Sequence, residues 1–229
     1  MADRPILFSG PLVRAIIDGR KTVTRRLAGL NEVNADPDAW KYVGFTIDST
    51  VRRLVDRHHM RPVSRTTAAD SWLRCPYGLA GDTLWVRETW AAHWMYDDVP
   101  PRERKSRHPD DNYWYRADPD GTEGSWGCPA QGRGKWCPSI HMPRWASRLS
   151  LRVVSVRPER LQAITPDEIR CEGLLPHVEC TSEAAADRDL VERWILLWDS
   201  INPAQPGASN PWVWRVEFKR VASEGAGGV

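Results

Sequence analysis

Gly19-Arg20-Lys21-Thr22-Val23-Thr24-Arg25-Arg26 gathers an amine, two hydroxyls and three guanidiniums into eight residues. The residues before it read as a short helix. Ser9 occupies the cap position, Pro11 sits in the first turn, and Leu12, Val13, Ile16 and Ile17 share a face. Gly19 then offers a left-handed stop. Beyond the stop, Val23 calls for burial between polar neighbours, the pattern of a strand leaving a glycine turn with functional groups at its beginning.

The chain around this stretch has 229 residues, enough for one well-buried domain with insertions or for two small domains; a single domain over 1–222 is the expectation, with a frayed glycine-rich tail at 223–229. A net charge of +2 excludes the large basic footprint of a duplex-coating protein but leaves room for a local basic cleft. Five scattered cysteines do not form a secreted disulfide framework, the N-terminus lacks the apolar core of a signal peptide, and no run reaches membrane-spanning length. A soluble cytoplasmic protein is the simplest reading. Tryptophan is the compositional outlier, with 13 residues, most expected in the core and some able to stack on a base.

Two stretches lose periodicity and read as insertions, about 28–75 and 97–136. The first carries Arg52, Arg53, Arg57, Arg61, Arg65 and Arg74, a strand candidate at Val43, Phe45 and Ile47, and the irregular-looking pair His58 and His59. The second has a strand candidate at Tyr113-Trp114-Tyr115-Arg116 and otherwise reads as a long loop or lid. Between them, Thr83 to Trp90 alternates, with Leu84, Val86, Glu88 and Trp90 on one face and Trp85, Arg87 and Thr89 on the other. Whichever face is buried carries a charge inward, so Arg87 or Glu88 is either a pocket residue or half of a salt bridge. Pro143 forbids a regular central strand and makes the backbone bend near His141, Arg144, Trp145 and Arg148.

Thr165-Pro166-Asp167-Glu168 is a capping box, so a short helix should run to about Glu172 and stop at Gly173. Glu172 then faces the negative end of the helix dipole, against the local rule. Leu190, Val191, Trp194, Ile195 and Trp198 fall at helical spacing, and Trp212, Trp214, Val216 and Phe218 alternate with Val213, Arg215, Glu217 and Lys219 in a last strand. Cys128, Cys137 and His141 raise the question of zinc, with Cys171, His177 and Cys180 further on. No Cys-x-x-Cys pair is present, and no metal is expected.

Four blocks together resemble the ASCH domain family: Gly19 to Arg26, Gly81-Asp82-Thr83-Leu84-Trp85-Val86, Leu151 to Gly173, and Trp214-Arg215-Val216-Glu217-Phe218-Lys219. The longer pattern, with Trp85 to Trp90, Ser139 to Arg148 and Asn210 to Trp214, resembles ASCH-like proteins of bacteriophages and prophages. The resemblance implies an α+β fold, a PUA-like β-barrel with flanking helices, here carrying two long insertions. One compact bacterial branch hydrolyses the amide of N4-acetylcytidine without a cofactor, through a lysine, a threonine and a glutamate. By resemblance these are Lys21 and Thr24 of a Lys-Thr-x-Thr motif and Glu172, with Arg26 matching a following arginine and Arg25 standing where that motif has an apolar residue.

The chemistry is coherent: Thr24 as nucleophile, Lys21 managing its proton if burial lowers its proton affinity, and Glu172 positioning water or passing a proton to the leaving amine. Arg26, Arg87, Glu88, Arg144 and Trp145 are the candidate substrate-binding residues. Strand geometry places residues 21 and 24 on opposite faces, so Lys21 must sit in the turn before the strand or a bulge must intervene. The expected partner is a modified nucleoside or nucleobase. The alternative is a PUA-like RNA or single-stranded nucleic-acid binding module without catalysis, in which Arg25, Arg26, Arg87 and Arg144 contact phosphates.

Overall fold

The computed structural model describes residues 2–46, 57–63, 71–104, 113–118, 132–177 and 181–221. Ile47, Arg52, Arg53, Arg65, Cys128, Cys180 and the tail 223–229 lie outside them. Among the described residues the strands are β1 (Asp3–Leu7), β2 (Val23–Arg26), β3 (Trp40–Thr46), β4 (Arg57–Pro62), β5 (Ser71–Leu73), β6 (Thr83–Arg87), β7 (Trp90–Ala91), β8 (Trp114–Tyr115), β9 (Ser150–Arg160) and β10 (Trp212–Val221). The helices are α1 (Gly10–Ile17), α2 (Asn31–Asn34), α3 (Pro166–Cys171) and α4 (Glu183–Ile201). Several sheets and few helices make this an α+β chain. No helix among the described residues is long and apolar enough to cross a membrane.

The chain divides into two compact units, each assembled from segments distant in sequence: Met1–Gly19, Asp82–Arg152 and Lys219–Val229 in the first, Arg20–Gly81 and Val153–Phe218 in the second. In the first unit β1 runs parallel to β6, from Asp3 opposite Thr83 to Leu7 opposite Arg87, and β6 pairs antiparallel with the first residues of β9. The alternation in β6 works as read, with Leu84 and Val86 buried and Trp85 and Arg87 half-buried. The strand ends at Arg87, and Trp90 belongs to the separate ribbon β7–β8. In α1 the residues Val13, Ala15 and Ile16 are buried; Ser9 is the cap residue without a side-chain cap bond, and Gly19 takes a φ of +75°.

In the second unit β10 lies between β9 and β2, and β3, β4 and β5 form an antiparallel sheet of their own. Trp214, Val216 and Phe218 bury one face of β10, while Val213, on the other, packs with Leu161, Ile169, Leu190, Trp194 and Trp198. Helix α4 covers that second face, which is why both parities of β10 are apolar near its start. Ser182 caps α4 by accepting from the Ala185 amide at 3.2 Å. Val191, expected in the apolar stripe, is 40 % exposed, because the helix docks on the line of Leu190, Trp194 and Trp198.

Both stretches read as insertions contribute core. In the first, Leu30, Val33 and Met60 are buried, and His58 and His59 stand on β4 rather than in an irregular loop. His58 meets Trp214 edge-on at 4.9 Å, and His59 stacks on Trp72 at 4.2 Å. In the second, the strand expected at Tyr113 to Arg116 forms as β8, and Tyr113, Trp114 and Tyr115 are buried. Aromatic side chains bury large areas on short, weakly periodic segments, which gives this stretch its place in the core.

Candidate active site

The glycine stop delivers the chain into β2 two residues before regular pairing begins, so Lys21 lies ahead of the strand, as the first of the two options required. The segment is clamped on both sides. Thr22 donates its amide to the Cys171 carbonyl at 2.8 Å, and its own carbonyl accepts from the Phe218 amide at 2.8 Å. Helix α3 forms by the capping box, with the Thr165 hydroxyl accepting from the Glu168 amide at 3.3 Å, and ends at Glu172 before Gly173 at φ +94°.

Lys21 and Glu172 are both buried and in contact. The ammonium donates to Glu172 Oε2 at 2.6 Å, to the Glu172 carbonyl at 2.9 Å and to the Val23 carbonyl at 2.8 Å, which uses all three of its N–H groups. Lys21 thereby satisfies a carbonyl at the C-terminal end of α3, where a cation is favoured, and offsets the unfavourable placement of the Glu172 carboxylate. Burial lowers the proton affinity of Lys21; Glu172 opposes this, and the nearby Arg26 and Arg25 add to it, for a net lowering. Thr24 is buried on β2 opposite Val216. Among the described residues no hydrogen bond ties its hydroxyl to Lys21 or Glu172, so the structure brings together two of the three expected catalytic residues directly.

Arg25 is the residue whose importance the sequence reading missed. Its side chain is fully buried and reaches three carboxylates: Glu159 Oε1 at 2.6–2.8 Å, Glu168 Oε2 at 2.7 Å and Glu172 Oε1 at 3.2 Å. Glu168 also accepts from Arg215 Nε at 3.0 Å. Burial alone would raise the Glu168 carboxyl, but Arg25, Arg215 and the Thr165 backbone hold it below its ordinary value. A signal existed: residues 168 and 172 are one helical turn apart and share a face, so two carboxylates aimed the same way demanded a cation. Arg26 is pushed down by burial, with Tyr77 and Glu172 opposing.

The remaining expected binding residues lie in the first unit, each engaged there. Arg87 donates to the carbonyls of Met142, at 3.1 Å, and Ile140, bracing the single-turn helix before Pro143. Glu88 is buried and forms a two-point pair with Arg148, at 2.9 and 3.1 Å, while Arg148 also reaches Asp118 at 2.7 Å and lies over the Tyr115 ring at 4.0 Å. Of the two roles left open for it, Glu88 takes the ion pair. Arg144 is exposed and meets Asp3 at 2.7 Å; Trp145 packs edge-on against Trp90 and Tyr113. Cys137 has Arg104 and the Lys135 carbonyl for neighbours, and no group of three His, Cys, Asp or Glu among the described residues is arranged to hold a metal ion.

No protein-family model matches this chain, and no curated protein or solved structure matches it significantly.

Proposed function

We propose that this chain is an amidohydrolase of ASCH type, with a PUA-like barrel, that removes the acyl group from an acylated cytosine nucleoside such as N4-acetylcytidine without a metal. The observation that carries the reading is the buried 2.6 Å contact between Lys21 and Glu172, with Thr24 buried three residues further along. Burial lowers the proton affinity of Lys21, so its amine form is accessible there. In that form the Lys21 nitrogen takes the proton of the Thr24 hydroxyl as its oxygen bonds to the acyl carbon, and Glu172 holds the resulting ammonium in place. The bond from that carbon to N4 breaks as the ammonium passes that proton to the leaving amine, giving cytidine and an acyl-threonine ester. Water then cleaves the ester, releasing the carboxylic acid and restoring the hydroxyl.

The alternative, single-stranded nucleic-acid binding through arginines, has less support. Arg25 and Arg144 already pair with carboxylates, and Arg87 spends two of its N–H donors on backbone carbonyls, which leaves these side chains fewer donors for phosphates.

Incubation of the protein with N4-acetylcytidine and chromatographic detection of cytidine tests the proposal. Turnover is expected, reduced by about 10²-fold or more in Lys21→Ala and Glu172→Gln. No turnover by the natural chain, or full turnover by Lys21→Ala, refutes it. Salt-sensitive retention of single-stranded RNA in its place would favour the alternative.

A further inference from the structure

Arg25 stands one residue beyond the candidate nucleophile, yet its guanidinium turns away from solvent and is shared among three acids: Glu159 on β9, Glu168 on α3 and Glu172 at the C-terminal cap of α3. The carboxylate of Glu172 is divided between two cations. Oε2 receives Lys21 and Oε1 receives Arg25.

We propose that Arg25 is a positioning residue of this site: it fixes Glu172 by the oxygen that Lys21 leaves free and competes with the ammonium for the same carboxylate, so that Lys21 releases its proton more readily.

Geometry supports both halves. A carboxylate held at one oxygen can rotate, whereas one held at both by donors from separate positions of the chain has a fixed plane, and the Lys21 contact depends on that plane. Arg25 is itself fixed by Glu159 and Glu168, and Glu168 is fixed by Arg215, so the clamp on Glu172 is braced from three strands and a helix. An arginine suits this position because its planar fork serves several acceptors at once and keeps its charge when buried; a lysine there would itself tend to lose its proton. The charged groups bearing on Lys21 are Glu172 from α3 and Arg25 and Arg26 from β2, with Glu159, Glu168 and Arg215 reaching it through Arg25. A second cation on the same anion weakens the hold of that anion on the first.

The inference rests on the amidohydrolase reading for its catalytic meaning, but its electrostatic content is measurable without turnover. Selective isotope labelling of lysine and NMR titration of the Lys21 side chain give its midpoint in the natural chain, Arg25→Met, Arg25→Lys and Glu159→Gln. Arg25→Met is expected to raise the midpoint and to move the rising limb of the deacetylation profile upward with it. Arg25→Lys is expected to raise the midpoint part of the way toward that of Arg25→Met, because a buried lysine keeps its charge less firmly, and Glu159→Gln to lower it by freeing Arg25 for Glu172. An unchanged or lowered midpoint in Arg25→Met overturns the inference. If that variant does not fold, an unchanged midpoint in Glu159→Gln does so. Absence of turnover with the midpoints moving as stated overturns the amidohydrolase reading and leaves the competition for Glu172 standing.

Discussion

Arg25 and Arg215 stand directly opposite one another on β2 and β10, and Glu168 accepts from both, at 2.7 Å and 3.0 Å. Like charges in direct cross-strand register repel, so the ladder at this point depends on the anion between them. Glu168 reaches them as the third residue of a capped helix, which ties the start of α3 to the sheet.

Glu168→Gln is therefore expected to destabilise the protein by about 1–3 kcal/mol at neutral pH, less than for a fully buried pair because Glu168 keeps some exposure. Its carboxyl is held below the ordinary value, so its contribution is fully present above about pH 4.5 and disappears as pH falls through the lower folded value. Urea unfolding at pH 7 and pH 3 should show the gap between natural and variant chains closing in acid. A gap of equal size at both refutes the assignment.

In the first unit, Arg148→Met should cost more than Glu88→Gln. Removing Arg148 strands a buried carboxylate, at about 3–5 kcal/mol, while Glu88→Gln leaves Arg148 its Asp118 partner and an amide oxygen to bond. Burial already raises the Glu88 carboxyl, with Arg148 opposing. Loss of Arg148 raises it further, so protonation relieves the strain and the deficit of Arg148→Met should be smaller at pH 5 than at pH 8 by thermal denaturation. Equal costs for the two variants would count against this pairing.

His58 carries a pH signature. Burial lowers its imidazole from 6.5 to about 4, so the unfolded chain takes up a proton at a pH where the folded chain refuses it. Stability from this group is complete above about pH 6.5 and is lost as pH falls toward 4. His58→Phe keeps a ring against Trp214 and removes the titration; its unfolding midpoint between pH 7 and pH 5 should vary less than that of the natural chain.

At the candidate nucleophile, Thr24→Ser retains the hydroxyl and should keep measurable deacetylation, while Thr24→Val, of matching shape, should lose about 10²-fold or more in kcat. Comparable rates for Val and Ser would remove Thr24 from the mechanism.

The amino-acid order was sufficient where the deciding contacts are local. The stop at Gly19, the box from Thr165 to Glu168 with its end at Gly173, the stripe of Leu190, Trp194 and Trp198, and the alternation of β6 and β10 are all set by neighbours within about one or two turns or strand steps. Glu172 was legible because it breaks a local rule, and its position marked it before any partner was known. The family resemblance set Lys21 beside it as an expectation; only the tertiary structure decided the contact itself and added Arg25. Lys21 bonds across 151 residues, and Arg25 across 134 to 147, separations over which propensity and capping carry no information. The Gly19 to Arg26 stretch presented three guanidiniums as equals; burial separated them, because a charge removed from water must find its counter-ion wherever the fold places one.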